Sequence, residues 1–416
     1  VKLEPSPFAP ATFPDLPQIK GLKAATCSRG FYSGRGVDRE DVFLFVMPEG
    51  TAAAGVFTRS LTASADVDWC RHALKAGKGR GRGVVVNAGN SNAFTGKAGI
   101  LKNEATLSAM ALALDVSREQ CFVAATGVIG EPLHDPNYVG EMLPELTGKL
   151  RSPDWEACAR AFMTTDTFAK GAGARCELDG HPVAIAGILK GSGMIMPNMA
   201  TMLCYLFTDA AISPPLLDML LRESVDRTLN SVTVDGDTST SDTCMLFATG
   251  QSDAPVIERA DDPRLNDFRP ALEGVLRDLS HQLVKDGEGA SKFVEIRVEG
   301  AVSEASAKTI GLEIANSPLI KTAMAAGDAN WGRIVMAVGK ALEPISKDDM
   351  RIWFGDHLVA EGGMRAPGYD EAIASAHFAG DELAIRVDVA NGDASWTVWT
   401  CDLTHAYVDI NGAYRT

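Results

Sequence analysis

At 416 residues the chain exceeds what one hydrophobic core usually serves, so two domains or one large α/β body are expected. A hydrophobic share of 46% beside 22% charged residues is that of an ordinary globular protein. The formal net charge of −15 speaks against nucleic acid or an anionic membrane surface as partner, and no apolar run reaches the roughly 18–20 residues of a membrane span.

Residues 1–18 carry five prolines, lack the basic start and apolar middle of a signal peptide, and read as an extended arm. Short apolar runs at 42–47, 83–86, 121–124 and 202–207 read as strands. Basic residues separated by glycines at 75–82 read as a solvated loop. Helices are expected at 103–114, with Glu104 in the first turn, and at 216–230 after the Pro214-Pro215 pair. Another is expected at 270–284, where Leu272, Val275, Leu276, Leu279 and Leu283 recur at helical spacing. Residues 251–264 are the best linker candidate, and Trp396-Thr-Val-Trp399 reads as a half-exposed strand. The mixture implies an α/β or α+β protein and leaves strand order open. Eight cysteines without a Cys-x-x-Cys pair indicate reduced, partly buried thiols and a cytoplasmic setting, with Cys204 and Cys244 as core residues.

The seven histidines stand apart from one another and from the cysteines, so no zinc spacing exists. No Gly-x-Ser-x-Gly elbow, Walker loop or Gly-x-Gly-x-x-Gly is present, which points away from ATP- or NAD-driven chemistry. The most informative stretch is Lys190-Gly-Ser-Gly-Met-Ile-Met-Pro-Asn-Met-Ala-Thr201, a Gly-rich approach to an apolar strand. Were the Ala200–Thr201 bond cut, the Thr201 hydroxyl would lie beside its own α-amine, a base of pKa roughly 7.7–8. The local alternative is a plain Gly-rich loop before a core strand. Thr126-Gly127 can present a hydroxyl and a backbone N–H to one point, as an oxyanion site requires, or can simply end a strand.

Seven further motifs accompany that stretch in order. They are Asn87-Ala-Gly-Asn-Ser-Asn-Ala-Phe-Thr-Gly96, Ala125-Thr-Gly-Val-Ile-Gly130, Met163-Thr-Thr-Asp-Thr-Phe168, Asp235-Gly-Asp-Thr-Ser-Thr-Ser-Asp242, Gly287-Glu-Gly-Ala-Ser-Lys-Phe293, Gly327-Asp-Ala-Asn-Trp-Gly-Arg333 and Asn411-Gly-Ala-Tyr-Arg-Thr416. Together they resemble the ornithine acetyltransferase (glutamate N-acetyltransferase) family of arginine biosynthesis. The resemblance implies layered sheets with flanking helices in an N-terminal-nucleophile-type architecture. It also implies self-cleavage into residues 1–200 and 201–416, assembled as two alpha and two beta chains. The implied reaction moves acetyl from N2-acetylornithine to glutamate through acetyl-Thr201, with no cofactor and no metal. Thr126 and Gly127 would form the oxyanion hole. Thr164 or Thr165, Lys190, Thr201, Glu288, Asn411 and Thr416 would hold substrate, Lys190 at the α-carboxylate and Glu288 at the ornithine ammonium.

Taken singly, Lys190 and Glu288 read as solvated surface charges and Asn411 as a turn residue. Asp328, Asn330, Trp331 and Arg333 read first as structural support. The sequence leaves open whether acetyl-CoA is a second donor, and whether Thr164 or Thr165 touches substrate. Two rival readings are an aminopeptidase or amidase, in which water deacylates Thr201, and an uncut amino-acid-binding protein.

Overall fold

A computed structural model describes residues 4–32, 39–196 and 202–413. In chain order, β1 (Lys23–Cys27), β2 (Val42–Val46) and β3 (Ala52–Phe57) precede helix α1 (Ala65–Ala76). Then come β4 (Gly83–Asn90), α2 (Gly96–Leu114), β5 (Cys121–Val128), the short helices α3 (Leu143–Gly148) and α4 (Trp155–Ala161), and the hairpin β6 (Lys170–Leu178) to β7 (His181–Lys190). The next stretch holds β8 (Leu203–Thr208), α5 (Pro214–Arg227), β9 (Thr243–Ala248) and α6 (Leu265–Lys285). The remainder runs through β10 (Phe293–Ala301), α7 (Glu304–Ala315), α8 (Pro318–Ala326), α9 (Trp331–Lys340), β11 (Arg351–Phe354), β12 (His357–Glu361) and β13 (Met364–Arg365). It closes with α10 (Glu371–Phe378), β14 (Glu382–Asp388), β15 (Ala394–Cys401) and α11 (His405–Ala413).

Two mixed sheets stack face to face. One has the order β1-β2-β4-β5 and the other β3-β9-β8-β7-β6. Phe43, Phe45, Val84, Val86 and Phe122 of the first meet Ile188, Tyr205, Phe207, Met245 and Phe247 of the second in a shared core. Rings cross the gap, Phe45 to Phe207 at 4.6 Å and Phe122 to Phe247 at 5.8 Å between centroids. Helices α2 and α3 cover the outer face of the first sheet, and α5 and α6 that of the second. Strands β8 and β9 are therefore buried on both faces, which is why they are unbroken apolar runs. The result is a layered mixed α/β body. A third sheet, β13-β12-β11-β14-β10-β15, carries its own core under α7 to α10.

Several element boundaries differ from the sequence reading. Helix α2 begins at Gly96 rather than 103, because Gly96 and Gly99 disguise its first two turns. Helix α6 begins at Leu265 with Pro270 inside it, since Leu265 and Phe268 are fully buried on the face that packs the core and outweigh one lost hydrogen bond. Helix α5 ends at Arg227, and residues 229–231 form a separate tight turn of helix. The Trp396 and Trp399 strand is buried, not half-exposed. The Trp396 indole donates to Ser231 at 2.8 Å and that of Trp399 to Glu295 at 2.9 Å, so both polar edges are satisfied under cover. Within residues 251–264, Ile257 is buried and bridges Ile212. Asn330 caps α9 through the Arg333 N–H. All eight cysteines are unpaired, and among the described residues no helix is long and apolar enough to cross a membrane.

Candidate active site

Strand β7 ends at Lys190, which lies in register with Leu203 of β8, so the Gly-rich segment leaves and re-enters one sheet at adjacent strands. Strand β5 lies at the edge of the other sheet and runs through Thr126 and Gly127 without turning. Between these strand ends lies a cavity of about 260 Å³. Its walls include seven residues named from the sequence: Thr126, Gly127, Thr164, Thr165, Lys190, Glu288 and Asn411. Ala200, Thr201 and Thr416 lie outside the described residues. Met202, the neighbour of Thr201 in sequence, donates its N–H to Asp242 Oδ1 at 3.0 Å.

Lys190 and Glu288 are not surface charges; they are 3% and 8% exposed. Lys190 ends a strand that is buried from Val183 onward, and its ammonium donates to Thr126 Oγ1 at 3.1 Å and Thr164 Oγ1 at 2.9 Å. An ammonium has three donors, so one remains for a ligand. Because Thr126 accepts from Lys190, its own hydroxyl proton is free to donate elsewhere. Burial pushes the Lys190 ammonium below its ordinary 10.5, and the Asp166 charge opposes the shift. Gly127 faces Gly89 across the parallel ladder at φ +136°, and a Cβ there would meet the Gly89 carbonyl carbon at 2.5 Å. Only glycine lets the two strands close up at the cavity wall.

Glu288 is held by its backbone N–H, which donates to Ser192 O at 2.9 Å, and it accepts from Asn411 Nδ2 at 2.8 Å. Asn411 thus lies in helix α11, not in a turn. Burial raises the Glu288 carboxyl above its ordinary 4.5, while the hydrogen bond from Asn411 pulls it back. A Cβ on Gly193 would sit 2.4 Å from the Glu288 carboxylate, so this glycine makes room for the acid. Thr165 Oγ1 bonds Ser192 Oγ at 2.7 Å, so the two threonines face different partners.

Several site residues carried no assigned role in the sequence reading. Asp166 accepts from Gly191 N at 2.6 Å and Thr164 N at 3.0 Å, fixing both sides of the Lys190 pocket. It shares the fully buried Lys170 with Asp286, at 2.6 and 2.5 Å. Asp235 accepts from the N–H groups of Met194 and Ile195 at 2.6 and 2.8 Å, and Tyr407 reaches it at 3.3 Å. Burial lifts the Asp242 carboxyl well above its usual range, despite the Met202 hydrogen bond. The signal for Asp166, Asp235 and Asp242 was their place inside quoted motifs, whereas Asp286 stands just before one; the partners Met194 of Asp235, Met202 of Asp242 and Lys170 of Asp286 lie 41, 40 and 116 positions away. Among the described residues no group of three or more His, Cys, Asp or Glu is arranged to hold a metal ion.

The sequence matches the family model of the ArgJ family over residues 24–416. It is 53% identical over 405 residues to the arginine biosynthesis bifunctional protein ArgJ of Caulobacter vibrioides, covering 97% of this chain and 100% of that protein. The protein of the same name from Rhizobium meliloti is 51% identical over 414 residues, 99% of each. Among solved structures, the arginine biosynthesis bifunctional protein argJ of Bacillus halodurans has 34% identity and a TM-score of 0.48, covering 50% of this chain and 96% of that chain.

Proposed function

The chain belongs to the ArgJ family, and on that premise we propose that it moves acetyl from N2-acetylornithine to glutamate through an acetyl ester on Thr201. One observation carries the reading: residues from both sides of the Ala200–Thr201 bond line a single cavity. Upstream come Thr126, Gly127, Thr164, Thr165 and Lys190, and downstream Glu288 and Asn411.

After cleavage the Thr201 α-amine takes the proton from Oγ as Oγ attacks the acetyl carbonyl of acetylornithine. The tetrahedral oxyanion is met by the Thr126 hydroxyl, polarised by Lys190, and by the Gly127 N–H. The C–N bond breaks, the protonated α-amine returns its proton to the leaving amine, and ornithine departs. Glutamate then attacks acetyl-Thr201 with its amine and gives a proton to the Thr201 α-amine; the same donors hold the second oxyanion, the ester C–O bond breaks, and Thr201 Oγ takes that proton back. Lys190 offers its third N–H to the α-carboxylate that both substrates share, and Glu288 takes the ornithine ammonium. The relatives' designation as bifunctional supports acetyl-CoA as a second acetyl donor to the same threonine. No cofactor takes part in either half-reaction. In an aminopeptidase, water would deacylate Thr201, so product analysis with and without glutamate separates the two chemistries.

The test of the nucleophile is direct. Denaturing gels of purified protein should show two pieces, and the downstream piece should begin Thr-Met-Leu-Cys-Tyr. Thr201→Ala should stay one chain and transfer nothing, while Thr201→Ser keeps some of both activities. Full activity from an uncut wild-type chain would overturn the α-amine as base.

A further inference from the structure

The motif Asn87 to Gly96 gives only Ser91 to the walls of the threonine pocket, yet its first seven residues are buried apart from the half-buried Gly89. Five polar side chains meet around it: Asn87 of β4, Asn92 of the loop that follows, Asp66 of α1, and Lys102 and Asn103 of α2. None is more than 4% exposed. Asn92 Nδ2 donates to Asp66 Oδ1 at 2.7 Å and to Asn103 Oδ1 at 3.1 Å, which steadies its left-handed backbone at φ +51°. Lys102 Nζ donates to Asn87 Oδ1 at 3.0 Å, with the Asp66 carboxylate as counter-charge at 4.0 Å. Burying an ammonium is costly even when it is paired.

What the ammonium does is orient an amide. It can only donate, so Asn87 must turn its oxygen towards Lys102 and its Nδ2 the other way. That Nδ2 donates to Asn90 O at 3.2 Å. The bond closes a loop over Ala88 and Gly89, and these two residues are the register partners of Thr126 and Gly127. An asparagine free to flip would present its oxygen to the Asn90 carbonyl and hold nothing.

The end of β5 leans on this loop. As the edge strand of its sheet, β5 has β4 as its one strand neighbour. Beyond the ladder, the Ser91 N–H and Oγ both donate to Val128 O, at 3.2 and 2.8 Å, and the Gly130 N–H donates to Ala93 O at 2.9 Å. Asn90 Nδ2 donates to Glu131 O. A Cβ on Gly127 would lie 2.8 Å from Asn90 N, so the two segments are in direct contact at the pocket wall.

We propose that Lys102 is a positioning residue for acyl transfer: by fixing the Asn87 amide it clamps residues 88–91, against which Thr126 and Gly127 are held as oxyanion donors. The inference rests on the oxyanion role given to Thr126 and Gly127 above. Lys102 touches no lining residue of the pocket through its own side chain; it acts through Asn87 and Asn90. Oxyanion donors work only at hydrogen-bond distance from the developing charge, and a displacement of about 1 Å can cost as much as 10²-fold in rate. Ground-state binding of substrate depends far less on those donors, so a loosened clamp lowers kcat and leaves KM nearly untouched.

Asn87→Asp separates the clamp from the fold. Its carboxylate keeps an acceptor for Lys102, now in an ion pair, but has no N–H for Asn90 O. The melting temperature should hold, while kcat for transfer from acetylornithine to glutamate, per cleaved chain, falls at least about tenfold. KM for acetylornithine should stay within about twofold. Backbone hydrogen exchange across residues 125–130, followed by mass spectrometry, should quicken. Lys102→Met should lower kcat by a similar factor and lower the melting temperature too, because it strips Asp66 of its counter-charge. A loss of kcat in Asn87→Asp that comes with an equal rise in KM or a lowered melting temperature overturns the proposal, since general disorder would explain it. Full turnover in Asn87→Asp also overturns it when Thr126→Ala is impaired. If Thr126→Ala is itself fully active, or the wild type transfers nothing, the oxyanion reading is what fails. The exchange measurement needs no chemistry, and an unchanged rate at 125–130 in Asn87→Asp then overturns the clamp on its own.

Discussion

Two lysines lie at the same depth within one short stretch of structure and have opposite surroundings. Lys170 is wholly buried and clamped between two carboxylates, Asp166 and Asp286. Burial lowers its affinity for the proton, but the two anions outweigh burial and raise it above 10.5. Lys190, 3% exposed, donates instead to two neutral hydroxyls, and there burial wins and its affinity falls. Desolvation alone thus does not set a buried lysine's character; the partners do. A cation with two anions is a rivet, whereas one with hydroxyl partners and a spare donor is equipped to meet a substrate.

The sharpest way to break this contrast is to remove each ammonium. Lys170→Met leaves two carboxylates buried without a counter-charge, and should cost about 3–5 kcal/mol of stability, read from denaturant unfolding. A loss below about 1 kcal/mol would show that the clamp is not structural. Next come the residues around Lys190. Thr126→Ala should lower turnover about 10²-fold with little change in acetylornithine binding, because an oxyanion contact strengthens only as charge develops. Lys190→Met should weaken both half-reactions by similar factors, roughly 10–150-fold. Acetyl-enzyme formation and its decay on adding glutamate, each followed by mass spectrometry, measure the two halves. A loss in one half alone would refute a shared carboxylate handle.

The smallest expected effect concerns Glu288. A carboxyl with a raised pKa stays protonated to higher pH, and only its ionised form attracts the ornithine ammonium. The acid limb of kcat/KM for acetylornithine should therefore lie above 4.5, with activity rising as pH rises through it. Glu288→Gln should remove that limb and weaken the acetylornithine half selectively, while the glutamate half holds. The same raised pKa means that ionising Glu288 opposes folding once pH exceeds 4.5, so the variant should be no less stable at pH 7. Equal loss in both halves would assign Glu288 to holding the site together.

Part of this arrangement was legible in the sequence. Strands β2, β4, β5 and β8 stood out because burial on two faces leaves continuous apolar runs. Their order did not, since β3 finds β9 and β7 finds β8 by pairing that local pattern never records. The motif residues pointed to Thr126, Lys190 and Glu288, yet local chemistry made both charges look solvated. What hides them is long-range cover: Lys190 meets Thr126, 64 positions away, and Glu288 meets Asn411, 123 positions away. Asp166 and Lys170 carry the spacing of an ordinary surface pair, and only Asp286, 116 positions from Lys170, makes them a buried triad.

The interleaving of the central sheet has a consequence for how the molecule comes apart. In the order β3-β9-β8-β7-β6, strands from before residue 200 flank the two from after it on both sides. Separating the pieces that a cut before Thr201 creates would tear two hydrogen-bonded ladders, β3 from β9 and β8 from β7. It would also split a core to which both contribute. Pieces so made would therefore stay associated on dilution, and their melting would be a dissociation as well as an unfolding. Its midpoint should rise with protein concentration, and a denatured mixture must reassemble by encounter, at a rate set by how often the two fragments meet.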